Sequence, residues 1–261
     1  MAQKKKPRQI GLARALSKLG YCSRSQAVKL IQNGRVRLNG TTPRNPETPI
    51  RLGVDRIEVN KEAVKSEAKV YLILNKPRGA VTTASDEKGR DTVYAHLPPC
   101  LPWVAPVGRL DKASEGLLLL TNDSEWAARI TAPETHLEKT YHVQVQGTCE
   151  ADLPDRMLKG VRTKDGEVLR TKNAGILRRG ERNAWLTIVL EEGKNRHIRR
   201  MLESEGIEVL RLVRVSIGPL ALGDLAKGSC RPLSSGEKRA LDLAMKPKSR
   251  KTYPGAAAAR T

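Results

Sequence analysis

The stretch VGRLDKASEGLLLLTND, residues 107–123, decides how the rest of the sequence is interpreted. Its second half, GLLLL at 116–120, is an apolar run of strand length that ends at the polar residues TND. Its first half places Arg109 and Asp111 directly before this strand. Charged side chains beside a buried strand are energetically costly unless they form an ion pair or have a function. From these residues alone, a structural Arg–Asp ion pair and a catalytic pair both fit.

Segments with strand or helix periodicity lie on both sides of this stretch. The apolar run at 70–74 is closed by the turn-forming residues NKPRG at 75–79. The predicted strands are 70–74, 117–121, 140–146, 184–190 and 208–215, and the predicted helices are 124–131, about 150–160 and 195–204. Because strands and helices do not alternate regularly, we predict an α+β fold with a mixed, largely antiparallel sheet.

Charge is concentrated at the two ends of the chain. The 261 residues carry 48 Lys and Arg against 28 Asp and Glu, a formal net charge of +20. Residues 1–65 hold 15 basic and 4 acidic residues, and residues 245–261 hold 5 basic residues and no acidic one. A polyanion is the expected partner of such ends, because Lys and Arg release counterions when they neutralise phosphates.

Several functional classes have no support in the sequence. No apolar run approaches the roughly 20 residues that span a bilayer. The four cysteines form no CxxC pair, and the four histidines form no HExxH motif. We therefore expect a cytoplasmic protein with no membrane span, no metal and no small-molecule cofactor.

The first patterned segment predicts two helices followed by a hairpin. Leucines at 12, 16 and 19 recur at helical spacing, and Gly20 is suited to end that helix. SRSQ at 23–26 has the capping-box pattern for a second helix, which Gly34 can terminate. Residues 35–38 alternate between basic and apolar, and the NG pair at 39–40 favours a tight turn. A DNA-binding helix-turn-helix is the alternative, although the hairpin argues against it.

This segment, with GLARALSKLGYCSRSQAVKLIQNGRVRLNG at its centre, resembles the S4 RNA-binding domain over residues 10–57. The resemblance implies a small S4-like α/β module that contacts RNA phosphates and grooves through Arg14, Ser23, Arg24, Lys29 and Arg35. Residues 58–68 are charged, lack apolar periodicity and are interpreted as a linker.

The central stretch VGRLDKASEGLLLLTND resembles the signature of the RsuA family of ribosomal-RNA pseudouridine synthases. NKPRG at 75–79, LEKTYHVQV at 137–145 and EGKNRHIRRM at 192–201 match further motifs of that family in the same order. The resemblance implies that Asp111 is the catalytic nucleophile, that Tyr141 is the active-site tyrosine and that Arg199 pairs with the aspartate. It also implies a catalytic domain over residues 69–240.

The same resemblance favours an enzyme that acts on ribosomal RNA, with the large-subunit branch preferred. We expect the enzyme to be a monomer. Further RNA contacts are expected near the site from Arg109, Lys194, Asn195, Arg196 and Arg200. Residues 241–261 are predicted to be a disordered basic tail. Two other classes stay open. One is a non-catalytic RNA-binding or ribosome-assembly factor on the same fold. The other is a DNA-binding regulator, although this sequence lacks a dimerisation helix.

Overall fold

The computed structural model describes residues 9–84 and 88–246, which form two units with separate hydrophobic cores. The first unit comprises β1 (Gln9–Gly11), α1 (Leu12–Lys18), α2 (Arg24–Gln32), β2 (Val36–Leu38), β3 (Pro49–Arg51), β4 (Ile57–Val59) and β5 (Glu62–Ala63). Helix α2 begins at the predicted capping box. The Ser23 hydroxyl accepts the Gln26 N–H at 3.1 Å, and the Gln26 side chain accepts the Ser23 N–H at 3.0 Å.

The N-terminal unit extends further than the sequence pattern indicated. Strand β4 pairs with β2 and with β5, so residues 58–63 belong to this sheet. The linker predicted at 58–68 is therefore wrong over its first half. The sequence signal is weak here because the strand has only three residues, with Glu58 as the single polar residue between the buried Ile57 and Val59.

The second unit is built on one large sheet. Its strands are β6 (Tyr71–Lys76), β7 (Ala105–Val107), β8 (Glu115–Thr121), β9 (Lys139–Gln146), β10 (Val161–Arg162), β11 (Val168–Leu169), β12 (Asn173–Arg179), β13 (Asn183–Leu190), β14 (Val209–Ile217), β15 (Leu220–Ala221) and β16 (Cys230–Pro232). Its helices are α3 (Ser124–Thr131), α4 (Leu153–Lys159), α5 (His197–Ser204) and α6 (Ser235–Ala244). All five predicted strands and all three predicted helices of this unit are confirmed, with shifted ends.

The sheet order is β12-β13-β9-β14-β8-β6-β16, with β7 beside β8, β15 beside β14, and β10–β11 a separate hairpin. Every described pairing in the large sheet is antiparallel except that of β14 with β8. Alternate leucines of β8 pack into the hydrophobic clusters on the two faces, Leu118 and Leu120 on one and Leu117 and Leu119 on the other. The predicted α+β class and the largely antiparallel sheet are confirmed.

The predicted tail begins too early. Helix α6 runs through Ala244, with a capping box between Ser234 and Glu237, and the side chain of Leu241 is fully buried. The boundary at residue 241 is wrong because a ten-residue amphipathic helix precedes the basic run. Residues 247–261, the rest of the predicted tail, lie outside the described residues.

Lys76 is a buried cation that links two segments near the edge of β8. It ends β6, has no exposed surface, and its Nζ donates to the carbonyls of Pro77 at 3.1 Å and Ser114 at 2.8 Å. Burial lowers the pKa of Lys76 to about 8, although Glu115 and Asp111 act in the opposite direction. The lysine thus joins the residues after β6 to the loop before β8.

Gly116 allows β8 and β14 to approach closely. It has φ of 99° and lies beside Arg214 in the parallel pair. A Cβ atom on this residue would lie 2.3 Å from the Arg214 carbonyl oxygen. Any side chain therefore meets both an unfavourable backbone conformation and the backbone of the neighbouring strand.

We predict that Gly116→Ala lowers the free energy of unfolding by more than about 2 kcal/mol, because strain and overpacking add. Gly147→Ala is the matched control. Gly147 also has positive φ, 76°, but no heavy atom lies within 4 Å of its Cβ position. The control should cost about 1 kcal/mol. Urea unfolding measures both changes, and equal losses would contradict the close-contact argument.

A second prediction concerns the pH dependence of stability. Since the pKa of Lys76 is about 8 in the folded chain and near 10.5 when exposed, the unfolded chain binds more protons between these values. Stability from this group should therefore rise as the pH increases from about 8 to 10.5. The rise should disappear in Lys76→Met and persist in Lys112→Met, which removes an exposed lysine. Parallel curves for wild type and Lys76→Met would contradict the assigned shift.

Candidate active site

Asp111 lies in the loop between β7 and β8, and hydrogen bonds from Gly79 and Thr82, which follow β6, hold this loop in place. The Gly79 N–H donates to the Lys112 carbonyl at 2.8 Å, and the Thr82 hydroxyl donates to the Leu110 carbonyl at 2.8 Å. The Ser114 N–H closes a turn onto the Asp111 carbonyl at 3.0 Å. Two motifs that are separate in sequence thus build one rigid loop.

A cavity of about 290 Å³ opens beside this loop. The Asp111 side chain shares its wall with Tyr141 of β9, Ile198 of α5 and Leu212 of β14. Asp111 also lines a second cavity of about 490 Å³, which shares Arg109, Leu110 and Asn195 with the first. The predicted Asp111 and Tyr141 are therefore brought together, although 29 residues separate them in sequence.

The wall of the smaller cavity is strongly cationic. Among the described residues that line it, Asp111 is the single carboxylate. Five lining side chains carry positive charge: Arg109, Lys139, Lys194, Arg196 and Arg214. A cavity of this kind attracts a polyanion and holds one negative group in its wall.

Tyr141 is almost fully buried in the middle of the sheet. It faces Ile188 of β13 and Arg214 of β14 in the strand register. Because side chains alternate along a strand, Lys139 lies on the same face as Tyr141. The aromatic ring therefore contributes an apolar wall beside two cations, a combination suited to an aromatic base.

Arg199 does not make the predicted direct pair with Asp111. No ion pair joins these two described residues. The guanidinium donates instead to the carbonyls of Ala113 and Val209, both at 3.2 Å. Burial lowers the pKa of Arg199, as does the positive charge of Arg196, while the charge of Asp111 acts against them. Arg199 thus fixes the end of the Asp111 loop and influences the carboxylate through its field.

The segment 194–200 divides between the cavity and an acidic cluster. Asn195 and Arg196 are exposed at the cavity wall. Arg200 does not line the cavity and pairs with Asp165 and Glu167 of the hairpin region, both at 2.7 Å. Sequence reasoning could not anticipate this, because the acidic partners lie more than 30 residues away.

Lys194 lines the cavity but is also ion-paired. Its Nζ lies 3.1 Å from Glu167 and 3.3 Å from Glu192. The hydrogen bonds that Lys194 donates to these carboxylates raise its pKa. Its charge is therefore partly compensated, whereas Arg109 and Arg196 have no ion pair with a described carboxylate.

The predicted basic residues of the N-terminal unit lie on its surface. Exposed side chains at Arg14, Arg24, Lys29 and Arg35 come from α1, α2 and the start of β2. The Arg35 Nε donates to Asn60 at 2.9 Å, and the hydroxyl of the predicted Ser23 is used as the helix cap. These positions give the unit a cationic face.

Specific contacts join the two units. Lys18 of α1 forms a 2.9 Å ion pair with Glu125 of α3. The Trp103 N–H donates to the Gly20 carbonyl, and the Glu67 N–H donates to the Leu19 carbonyl, both at 3.1 Å. The end of α1 is therefore anchored to the unit that carries the cavity.

Sequence reasoning missed two basic residues of the cavity wall, Lys139 and Arg214, and the buried Lys76 that supports the Asp111 loop. Lys139 could have been found, since it lies two residues before Tyr141 in a predicted strand and so shares its face. The sequence gives no comparable signal for Arg214 and Lys76. A charged residue in a strand is ordinarily expected on the exposed face, because buried charges in strands are rare.

The described ranges hold no group of three or more His, Cys, Asp or Glu side chains arranged to bind a metal. A search of the same residues finds no helix with the length and apolar content to cross a membrane.

Comparison with known proteins is consistent with this geometry. The family model described as RNA pseudouridylate synthase matches residues 70–204, and that of the S4 domain matches residues 10–57. The chain is 38% identical over 230 residues to a protein of Aquifex aeolicus named "Uncharacterized RNA pseudouridine synthase", covering 88% of this chain and 92% of that protein.

Two further relatives extend the comparison. Ribosomal large subunit pseudouridine synthase B of Bacillus subtilis is 35% identical, with 88% of this chain and 94% of that protein covered. A crystal structure described as a pseudouridylate synthase superposes with a TM-score of 0.62 at 32% identity, covering 89% of this chain and 99% of the other. The motifs, the cavity and these matches agree, and the chain belongs to the RsuA-like RNA pseudouridine synthases that carry an N-terminal S4 domain.

Proposed function

We propose that this pseudouridine synthase isomerises one uridine of ribosomal RNA in the large subunit, with Asp111 as its nucleophile. The carrying observation is the position of Asp111 as the single carboxylate among the described residues of a cavity with five cations. The large-subunit target is supported by the name of the Bacillus subtilis relative.

The chemistry of uridine isomerisation suits this residue set. The reaction breaks the glycosidic bond between C1′ and N1, turns the base and joins C5 to C1′, without net oxidation or an external group donor. Asp111 acts at the sugar, either by bonding C1′ or by assisting a glycal-like intermediate. Tyr141 contacts the base by stacking, or takes part in a proton transfer at the sugar. The target base must leave its stack to reach the cavity.

Arg199 is assigned a positioning role in this proposal. Its two hydrogen bonds to the carbonyls of Ala113 and Val209 tie the Asp111 loop to β14. This support acts on Asp111 without a direct bond to its side chain.

A purely RNA-binding role for this fold is disfavoured by the same cavity. Phosphates are bound by cations and backbone N–H groups, and a carboxylate in the wall repels them. An assembly factor would gain affinity from a neutral residue at position 111. The presence of Asp111 at this point therefore favours catalysis.

RNA is proposed to bind across both units. The contacting set comprises Arg14, Arg24, Lys29 and Arg35 of the N-terminal unit and Arg109, Asn195 and Arg196 at the cavity. Lys194 and Arg200 are expected to contribute less because they are already ion-paired. Since one chain supplies both units and the cavity wall, we propose that the enzyme acts as a monomer in the cytoplasm.

Asp111→Asn should lower single-turnover conversion by about 10⁴-fold or more, because a nucleophilic oxygen and its charge are lost together. RNA affinity should be unchanged or slightly higher, since one anion leaves the cavity. Tritium release from RNA that contains 5-³H-uridine measures turnover. The target is identified by pseudouridine mapping of ribosomal RNA from cells in which the gene has been deleted and each variant is expressed in its place.

Asp91→Asn is the control for this test. Asp91 is an exposed aspartate outside both cavities, so the same chemical change should leave turnover intact. A folded Asp111→Asn protein that turns over near the wild-type rate would overturn the assignment. Loss of pseudouridine in small-subunit RNA alone would overturn the proposed large-subunit target.

Replacing Arg14, Lys29 and Arg35 together with Gln should weaken RNA binding and flatten its salt dependence. Each lost phosphate contact reduces the slope of log affinity against log salt by about 0.7–0.9. Filter binding between low and high salt measures this slope. Turnover at saturating RNA should change little, because these residues lie outside the cavity.

The matched control removes three exposed arginines from the catalytic unit, Arg178, Arg179 and Arg239. With Gln as the replacement in both, the two triple variants lose the same net charge, so a general effect of charge predicts equal slopes of log affinity against log salt. Direct phosphate contacts from the N-terminal unit predict a flatter slope only for the variant that lacks Arg14, Lys29 and Arg35. Equal slopes would contradict the proposed binding face.

A further inference from the structure

Arg214 is a buried cation with unused hydrogen-bonding capacity at the cavity. Its side chain is 5% exposed and lines the cavity wall. The Nε atom donates to the Leu117 carbonyl at 2.7 Å, which fixes the guanidinium in place. Its buried Nη2 has no partner within the described structure. A buried charged donor without an acceptor is costly, so it requires an explanation.

Lys139 lies close to this guanidinium and intensifies its field. Its Nζ donates to the Glu191 carbonyl at 3.0 Å and also lines the cavity. Burial lowers the pKa of Lys139, and the positive charge of Arg214 lowers it further. Neither cation forms an ion pair with a described carboxylate.

The position of this cation pair relative to the aromatic wall is fixed by the sheet. Arg214 faces Tyr141 across the β9–β14 ladder, and Lys139 lies two residues before Tyr141 on the same face. Any planar base held against Tyr141 would therefore have the two cations at its edge. Two unpaired positive charges in the sheet are suited to a negative charge that forms there only during the reaction.

We infer that Arg214, assisted by Lys139, is a catalytic group that stabilises the uracil anion released when the glycosidic bond breaks. This inference rests on the proposed function. The electron pair of the C1′–N1 bond remains on N1 and spreads over the O2 and O4 oxygens, where the guanidinium N–H groups donate. Asp111 meets the electron deficiency of the sugar by bonding C1′ or by taking the C2′ proton.

The second half of the reaction returns each group to its starting state. C5 of the turned base attacks C1′, and Asp111 leaves with its electron pair or returns its proton to C2′. The proton on C5 is then lost to solvent while N1 takes up a proton from solvent, so the product is the neutral aromatic base with an N1–H group. Arg214 and Lys139 keep their protons throughout and act by charge alone.

A phosphate of the RNA backbone fits these two residues poorly. Backbone phosphates remain at the surface, where the exposed Arg109 and Arg196 meet them at the cavity wall. Arg214 instead lies in the sheet beside the nearly buried Tyr141, at the depth a flipped base must reach. The depth of the guanidinium therefore favours the base.

The test compares two leaving groups in single-turnover reactions with excess enzyme. One RNA carries uridine at the target and the other 5-fluorouridine, whose fluorine stabilises the uracil anion. Arg214→Gln should slow uridine consumption by about 10²–10³-fold, the usual effect of losing one charge-stabilising donor. Because the fluorinated anion needs less stabilisation, the slowing of fluorouridine consumption should be at least 10-fold smaller than the slowing of uridine consumption. Nucleoside analysis of nuclease digests measures both rates. Arg214→Lys, which keeps the charge, should lie between wild type and Arg214→Gln.

Controls separate this inference from the proposed function and from misfolding. Arg239→Gln, which removes an exposed arginine on α6, should match wild type on both RNAs. If Arg214→Gln fails to fold, Lys139→Gln and Arg214→Lys replace it, and each is again compared for its slowing on uridine RNA and on fluorouridine RNA. Equal slowing on both RNAs, or weaker RNA binding with normal turnover at saturation, would overturn the inference. A wild-type enzyme that leaves every uridine unchanged would overturn the proposed function instead.

Discussion

The parallel contact between β8 and β14 is the constraint on which the site depends. It exists because Gly116 has no side chain and adopts positive φ, which lets the backbone of Arg214 approach. On one side of this contact, β8 follows directly from the Asp111 loop. On the other side, β14 carries Arg214 opposite Tyr141. This glycine therefore sets how closely the strand after the Asp111 loop approaches the strand that carries Arg214.

The loop that carries Asp111 is held by hydrogen bonds from four residues, Lys76, Gly79, Thr82 and Arg199. Lys76, at the end of β6, donates to the Ser114 carbonyl, and Arg199 of α5 donates to the Ala113 carbonyl. Backbone bonds from Gly79 and a hydroxyl bond from Thr82 complete the support. Such support gives the Asp111 side chain a fixed position, since the loop cannot move without breaking several hydrogen bonds.

Charge is distributed differently in the two units. The N-terminal unit presents exposed cations suited to phosphates, and an ion pair and backbone hydrogen bonds join it to the catalytic unit. The catalytic unit balances many of its cations with acids, as Arg200 is balanced by Asp165 and Glu167. At the cavity wall, Arg109, Lys139, Arg196 and Arg214 have no ion pair with a described carboxylate.

The sequence by itself determined the class of fold, the strand β8, the capping box that starts α2, and the positions of Asp111 and Tyr141. These features depend on local periodicity, helix caps and ordered motifs, which are properties of neighbouring residues. The tertiary structure decided the partners of Arg199, Arg200 and Lys194, the burial of Lys76 and Arg214, and the true start of the C-terminal segment. Those outcomes depend on which strands become neighbours. Sheet register brings together residues that lie tens or even a hundred positions apart, as it does for Gly116 and Arg214.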